Sequence, residues 1–204
     1  MKTILCYGDS NTWGYHAKDD NRFDWCTRYP GVLSKLLGDE YHVIENGLCG
    51  RTTQYESDIE PYVNGKKAAE LAAEVNAPLD YAVIMLGTND CKDMYDATLE
   101  DIRRGIEEIG VCFEQKGAKI LIIAPPPMRE LEKSPFYDEF GAHAEEKSLL
   151  LHDAYSQLAA EKDWLYLNAD EIVVPGEFDH IHLEANAHSE LAKAVFRTIA
   201  QAEL

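Results

Sequence analysis

The sequence predicts an α/β fold: a three-layer αβα sandwich around a five-stranded parallel sheet. Three observations predict it. Five short runs, Thr3–Tyr7, Tyr41–Glu45, Tyr81–Leu86, Lys119–Ala124 and Trp164–Leu167, are rich in Ile, Leu, Val or aromatic residues, and each leads into Gly, Pro, Asn or Asp. Longer segments with helical spacing lie between them, and no repeat, linker or low-complexity stretch breaks the alternation. Strand–helix alternation of this kind buries both faces of a parallel sheet. Right-handed crossovers then place the five strands in flavodoxin-like order.

Each element has its own signal. Thr3–Tyr7 is apolar until Gly8 ends it. Val32, Leu33, Leu36 and Leu37 mark a helix stopped by Gly38. After Tyr41–Glu45, the residues Ala68, Leu71, Ala72 and Val75 form the apolar face expected of a second helix. Tyr81–Leu86 follows. Then Leu99, Ile102, Ile106, Ile109 and Phe113 fall on one helix face, with Gly117 as its stop. Lys119–Ala124 opens onto Pro125–Asp138, the longest irregular stretch. Its triple proline, with Phe136, Tyr137 and Phe140 around its end, suits a substrate-shaping lid or a contact between copies. Trp164–Leu167 is the last strand, and Leu191, Val195, Phe196 and Ile199 mark the last helix.

Composition limits the function classes. A chain of 204 residues fits one domain, residues 1–204, burying roughly 70% of its unfolded surface. Net charge is −18, from 19 Lys+Arg against 37 Asp+Glu, which repels polyanions and argues against nucleic-acid and acidic-membrane partners. Cys6, Cys26, Cys49, Cys91 and Cys112 are odd in number and lack paired spacing, so free thiols in a reducing compartment are expected. The opening MKTILCYGDS is too short in apolar residues for a signal peptide, and no segment reaches membrane-spanning length. The expectation is a cytoplasmic protein acting on a small molecule, with self-assembly into a homo-oligomer as an option.

In open α/β sheets, ligands bind outside the carboxyl ends of the strands, so chemistry is sought in the loops there. The first strand leads into Gly8-Asp9-Ser10-Asn11-Thr12-Trp13-Gly14, which sets a serine at a strand end beside a helix N-terminus. Such a serine can be a nucleophile with backbone N–H groups near it, or only a helix cap. Thr12 occupies a position where the elbow of α/β-hydrolases needs glycine. The second strand leads into Asn46-Gly47-Leu48-Cys49-Gly50-Arg51, where glycines permit close backbone approach or an ordinary turn. The third leads into Gly87-Thr88-Asn89-Asp90. There Asn89 can offer an amide N–H to an oxyanion or make an Asx turn, and Gly87 leaves room for substrate.

Near the C-terminus stands Asp179-His180-Ile181-His182. An aspartate three residues before a histidine can fix its tautomer and leave the other ring nitrogen free to take a proton. Serine needs such a base. Asp179, His180 and His182 can also be read as metal ligands, although no further ligand has convincing spacing. A non-catalytic binding module of the same shape is the other alternative.

Taken together, these blocks resemble the SGNH hydrolases, or GDSL-type esterases. That superfamily carries Gly-Asp-Ser near the N-terminus, a glycine after the second strand, Gly-x-Asn-Asp after the third and Asp-x-x-His near the end. The matching residues are Gly8-Asp9-Ser10, Gly50, Gly87-Thr88-Asn89-Asp90 and Asp179-His180-Ile181-His182, spread over nearly the whole chain. The resemblance implies Ser10 as nucleophile, His182 as base and Asp179 as its orienting partner. It also implies an oxyanion hole from the N–H groups of Ser10 and Gly50 and the Asn89 side chain, and neither metal nor organic cofactor.

The segments Asn11-Thr12-Trp13-Gly14, Tyr29-Pro30-Gly31-Val32-Leu33 and Glu184-Ala185-Asn186 look like the arylesterase and acyltransferase branch, which includes carbohydrate deacetylases. The activity this implies is hydrolysis of short-chain acyl esters, above all acetyl, of small alcohols, aryl groups or sugars. Two residues depart from the pattern: His180 stands where many relatives carry glycine, and Tyr29 where tryptophan is common. Asn11, Trp13, Tyr15, Trp25 and Ile181, close in sequence to the serine or the histidine, are the expected pocket walls. Cys49 and Cys91, beside the expected oxyanion donors, are read as small buried filler.

Overall fold

The computed structural model describes residues 1–204. Its main sheet contains β1 (Lys2–Gly8), β4 (Tyr41–Gly47), β5 (Tyr81–Met85), β6 (Lys119–Ala124) and β7 (Leu165–Asn168), all parallel, in the order β4-β1-β5-β6-β7. Each of these strands begins or ends within two residues of its predicted bounds. A small antiparallel hairpin, β2 (Tyr15–His16) with β3 (Asn21–Arg22), has no counterpart in the sequence reading. Two residues per strand are too few for an alternating pattern to register.

Side chains alternate across the sheet, as strand geometry requires. Leu5 and Tyr7 of β1, Ala82 and Ile84 of β5, and Ile120 and Ile122 of β6 enter one buried cluster. There they meet α3 (Gly65–Asn76), α4 (Leu99–Glu114) and α7 (Leu151–Lys162). Ile4, Cys6, Tyr81, Val83, Leu121 and Ile123 enter the other, under α2 (Tyr29–Leu37) and α8 (Ala185–Ala202). This is the expected three-layer sandwich. The long α4 has a capping box in which Thr98 and Asp101 satisfy each other's backbone N–H groups.

Three expectations about helices need correction. The buried residues of α3 are Gly65, Ala69, Ala72 and Ala73, whereas Leu71 and Val75 are each 67% exposed. The small side chains of α3 face inward, where the helix packs most closely against α4, and the larger ones turn outward. Leu36 of α2 is likewise exposed. Beyond the triple proline, the irregular stretch leads into short helices, α5 (Tyr137–Phe140) and α6 (Ala144–Leu149), followed by α7, none of which has an apolar stripe strong enough to predict it.

Register positions the site. Gly8 lies opposite Gly47 on one side and Met85 on the other, so β1, β4 and β5 end together. The chain leaves β1 toward β4 and returns across it to β5, placing a topological switch point beside β1. The loops carrying Ser10, Gly50 and Asn89 therefore share one edge of the sheet.

Candidate active site

Ser10 opens the one-turn helix α1 (Ser10–Trp13), immediately after its N-cap Asp9, whose carboxylate accepts the Asn11 N–H at 3.0 Å. The Ser10 side chain meets His182 from the far end of the chain: Ser10 Oγ lies 2.9 Å from His182 Nε2. His182 Nδ1 in turn lies 2.5 Å from Asp179 Oδ2. The other Asp179 oxygen accepts the N–H groups of Ile181 at 3.0 Å and His182 at 2.9 Å, which fixes the turn that presents the imidazole. Burial alone would raise the Asp179 carboxyl. The bond and charge of His182, with the two backbone donors, outweigh it and hold the group below the usual carboxylate range.

His180, inside this turn, has φ of +62°, a left-handed conformation. That accounts for glycine at this position in the family pattern, and histidine tolerates it better than most residues. Asp179 and His182 face each other and Ser10, and no three His, Cys, Asp or Glu side chains converge as a metal-binding group. Asp179, His180 and His182, the alternative metal-ligand trio, are therefore not brought together as ligands.

The expected oxyanion donors also converge. Ser10, Gly50, Asn89 and His182 line one cavity of about 140 Å³. The N–H groups of Ser10 and Gly50 have no acceptor within the protein. Gly50 has φ of +77°, a left-handed conformation that calls for glycine; the carboxylate end of Glu60, 2.8 Å from where a Cβ would stand, is flexible enough to move aside. Asn89 Nδ2 donates to the Arg51 carbonyl at 3.1 Å, which orients the amide and leaves its second N–H free. Gly87 has a different role from the one expected: a Cβ there would strike the Tyr155 hydroxyl, which donates to the Leu86 carbonyl at 2.9 Å. The absent side chain makes room for Tyr155 rather than for substrate.

The remaining walls are Tyr15, Cys49, Glu60, Thr88, Lys92, Phe136, Glu139, Phe140 and Ile181. The rings of Tyr15 and Phe136 lie 4.5 and 5.9 Å from the His182 ring. Lys92 is buried and paired with Glu139 at 2.5 Å. Cys49 borders the cavity, and burial pushes its thiol up to about 11, leaving it protonated at neutral pH. Cys91 is fully buried and donates to the Gly87 carbonyl, as filler would.

Three expected wall residues lie elsewhere. Asn11 is a buried staple between the serine and histidine loops: its Oδ1 accepts the Leu183 N–H at 2.9 Å, and its Nδ2 points to the Ile181 carbonyl. Trp13 is covered by the Arg22 guanidinium at 4.7 Å, on the hairpin side of α1. Trp25 is 39% exposed and lies near Met1 and Gly31, beside Arg28. Nearness in sequence to the serine brought them forward, but a one-turn helix sends successive side chains in divergent directions. Conversely, Glu60, Lys92 and Glu139 carried no signal in the sequence, because they come from irregular segments and short turns.

Comparison with known proteins places the chain. The profile of the GDSL-like Lipase/Acylhydrolase family matches residues 6–189. The structure superposes on a carbohydrate acetylesterase from Sinorhizobium meliloti with a TM-score of 0.93 and 30% identity, covering 99% of this chain and 100% of that one. It superposes on the aryl esterase of M. smegmatis with a TM-score of 0.92 and 30% identity, covering 98% and 99%. An acetylxylan esterase from Xylanibacter ruminicola is 29% identical over 143 residues, 61% of this chain but only 28% of that protein's length. With the family profile spanning most of its length and the site blocks in the family's order, this chain belongs to the GDSL-like Lipase/Acylhydrolase family.

Proposed function

We propose that the chain is a serine esterase that hydrolyses short-chain acyl esters, with acetyl preferred, of small alcohols, aryl groups or sugars. The observation that carries this reading is the relay from Ser10 Oγ through both nitrogens of His182 to Asp179, at 2.9 and 2.5 Å. A hydroxyl so placed loses its proton to the imidazole as it attacks an ester carbonyl. The developing negative charge meets the Ser10 and Gly50 N–H groups and the free Asn89 amide hydrogen. His182 then passes the proton to the departing alcohol, leaving an acyl group on Ser10. A water molecule, deprotonated by His182, attacks that acyl carbonyl, and collapse of the second oxyanion releases the acid and restores the serine.

A cavity of about 140 Å³ closed by Phe136, Phe140 and Ile181 favours a short acyl group. The polar wall of Thr88, Lys92 and Glu139 suits a hydroxyl-bearing alcohol. The acetylesterase and aryl esterase relatives support the same range. The test is a panel of p-nitrophenyl acetate, butyrate and octanoate with acetylated sugars, read as kcat/KM in wild type and Ser10→Ala. Acetate is expected to exceed octanoate by at least about tenfold, since each methylene in a fitted pocket is worth roughly that factor. Ser10→Ala is expected to lose nearly all turnover. Preference for octanoate would refute the short-acyl assignment, and an active Ser10→Ala would refute the serine mechanism.

A further inference from the structure

The three oxyanion donors come from three separate loops, and one buried residue, through its side chain and its own backbone, touches all three. Arg51 follows Gly50 directly. Its Nη1 donates to the Gly8 carbonyl at 2.8 Å, two residues before Ser10, and to the Asn46 carbonyl at 2.6 Å. Nη2 donates to Asn46 Oδ1 at 3.0 Å, and the guanidinium lies 4.3 Å from the centre of the Tyr7 ring. The Arg51 carbonyl is itself the acceptor that orients Asn89.

A second observation concerns charge. Asp9, the N-cap beside Ser10, is buried, and its Oδ2 has no partner in the protein; Arg51 Nε is also buried and unpartnered. Burial pushes Asp9 up to about 6, while the Asn11 N–H, His182 and Arg51 pull it down. Burial lowers Arg51, and Tyr7 and Asp9 sustain its charge. Arg51 thus brings a positive charge into the layer just behind the donors.

We infer that Arg51 is the positioning residue of the oxyanion hole, setting the spacing of the Ser10, Gly50 and Asn89 donors through its guanidinium fork and its own carbonyl. The inference rests on the acyl-serine reading of the site. A lysine cannot replace the fork, because one ammonium does not reproduce the planar, divergent donors that hold two carbonyls and an amide oxygen at once. Residue 51 therefore acts on the tetrahedral oxyanion and leaves the neutral ester nearly untouched, which separates its effect from that of a general packing residue.

The test uses Arg51→Lys and Arg51→Met, with Asn46→Ala as a milder variant that removes one acceptor of the fork. Each is assayed on p-nitrophenyl acetate and against a trifluoromethyl ketone, well below its unfolding temperature. Ser10 Oγ adds to the ketone carbonyl, its proton passes to His182, and the carbonyl oxygen becomes the anion held in the hole. The inhibition constant therefore reports the donors directly.

For Arg51→Lys, kcat/KM is expected to fall about 10–100-fold, less than the roughly 10²–10³-fold that loss of a whole donor costs. The ketone constant should rise by the same factor, with KM nearly unchanged. Arg51→Met should fall further and Asn46→Ala only a few-fold, all on one line of slope −1 between log Ki and log kcat/KM. Folded variants whose ketone affinity equals wild type, or whose loss lies wholly in KM, would overturn the assignment. Should Arg51→Met and Arg51→Lys both fail to fold, Asn46→Ala alone decides it, unchanged affinity counting against. A wild type that hydrolyses the ester but resists the ketone and carries no adduct on Ser10 would instead refute the serine reading.

Discussion

At residue 10 the chemistry depends on groups that the chain supplies from afar. Ser10 is 8% exposed, and the imidazole it meets sits 172 positions away. Asp179 stays ionised into acid because its native carboxyl is held below the usual range. Asp179→Asn keeps the shape but no longer fixes the tautomer of His182. Turnover of p-nitrophenyl acetate is therefore expected to drop about 10³–10⁴-fold with the far-ultraviolet spectrum unchanged. A drop under tenfold would remove Asp179 from its role.

Asp9 makes a second residue-scale prediction, about stability. Its native value of about 6 lies above the ordinary carboxylate value near 4, so the folded state keeps a proton that the unfolded chain has lost. Its contribution to stability is complete below about pH 4 and disappears as pH rises through 6. Asp9→Asn should gain about 1–3 kcal/mol relative to wild type between pH 4 and 7.5 in denaturant unfolding. Asp90 is also pushed to about 6, chiefly by burial and in small part by the charge of Asp9, so Asp9→Asn eases Asp90 slightly in the same direction. A difference that is flat with pH would contradict the burial account.

At the scale of elements, the parallel strands and α4 were legible because long apolar runs and a capped amphipathic face are strong local signals. The outward-facing side of α3 was not. Periodicity marks an apolar stripe, but which stripe packs depends on how closely the helix lies, and that is a tertiary fact. The four site blocks were legible as residue types, and the hydroxyl, imidazole, carboxylate and amide they carry do meet at one sheet edge. The pocket walls were less so: Tyr15 and Ile181 do line the cavity, whereas Asn11, Trp13 and Trp25 do not. Arg51 was visible as a letter but not as a strut, because its partners Gly8, Asn46 and Asn89 meet only when three strands align.

The segment after β6 earns an element-scale prediction. Phe140, the last residue of α5, closes the cavity and carries the Lys92 ammonium 5.3 Å from its ring centre. Phe140→Ala should deepen the acyl end and raise the butyrate-to-acetate ratio of kcat/KM by about tenfold, the value of one or two methylenes. An unchanged ratio would place the acyl group elsewhere.

At the scale of the whole molecule, a net charge of −18 surrounds a cavity whose wall holds Glu60 and Glu139 against the single lysine Lys92. Such a field slows the approach of anionic esters and is screened by salt. The kcat/KM for 4-acetoxybenzoate should therefore rise with added sodium chloride while that for neutral p-nitrophenyl acetate stays level. Parallel responses would show that the field does not reach the site. The expectations about activity presuppose that one serine carries the acyl group. The most direct measurement is intact and peptide mass after treatment with a fluorophosphonate. The account predicts one adduct, on Ser10, formed in step with loss of activity and absent in Ser10→Ala. An enzyme that keeps hydrolysing esters with Ser10 unlabelled would contradict it.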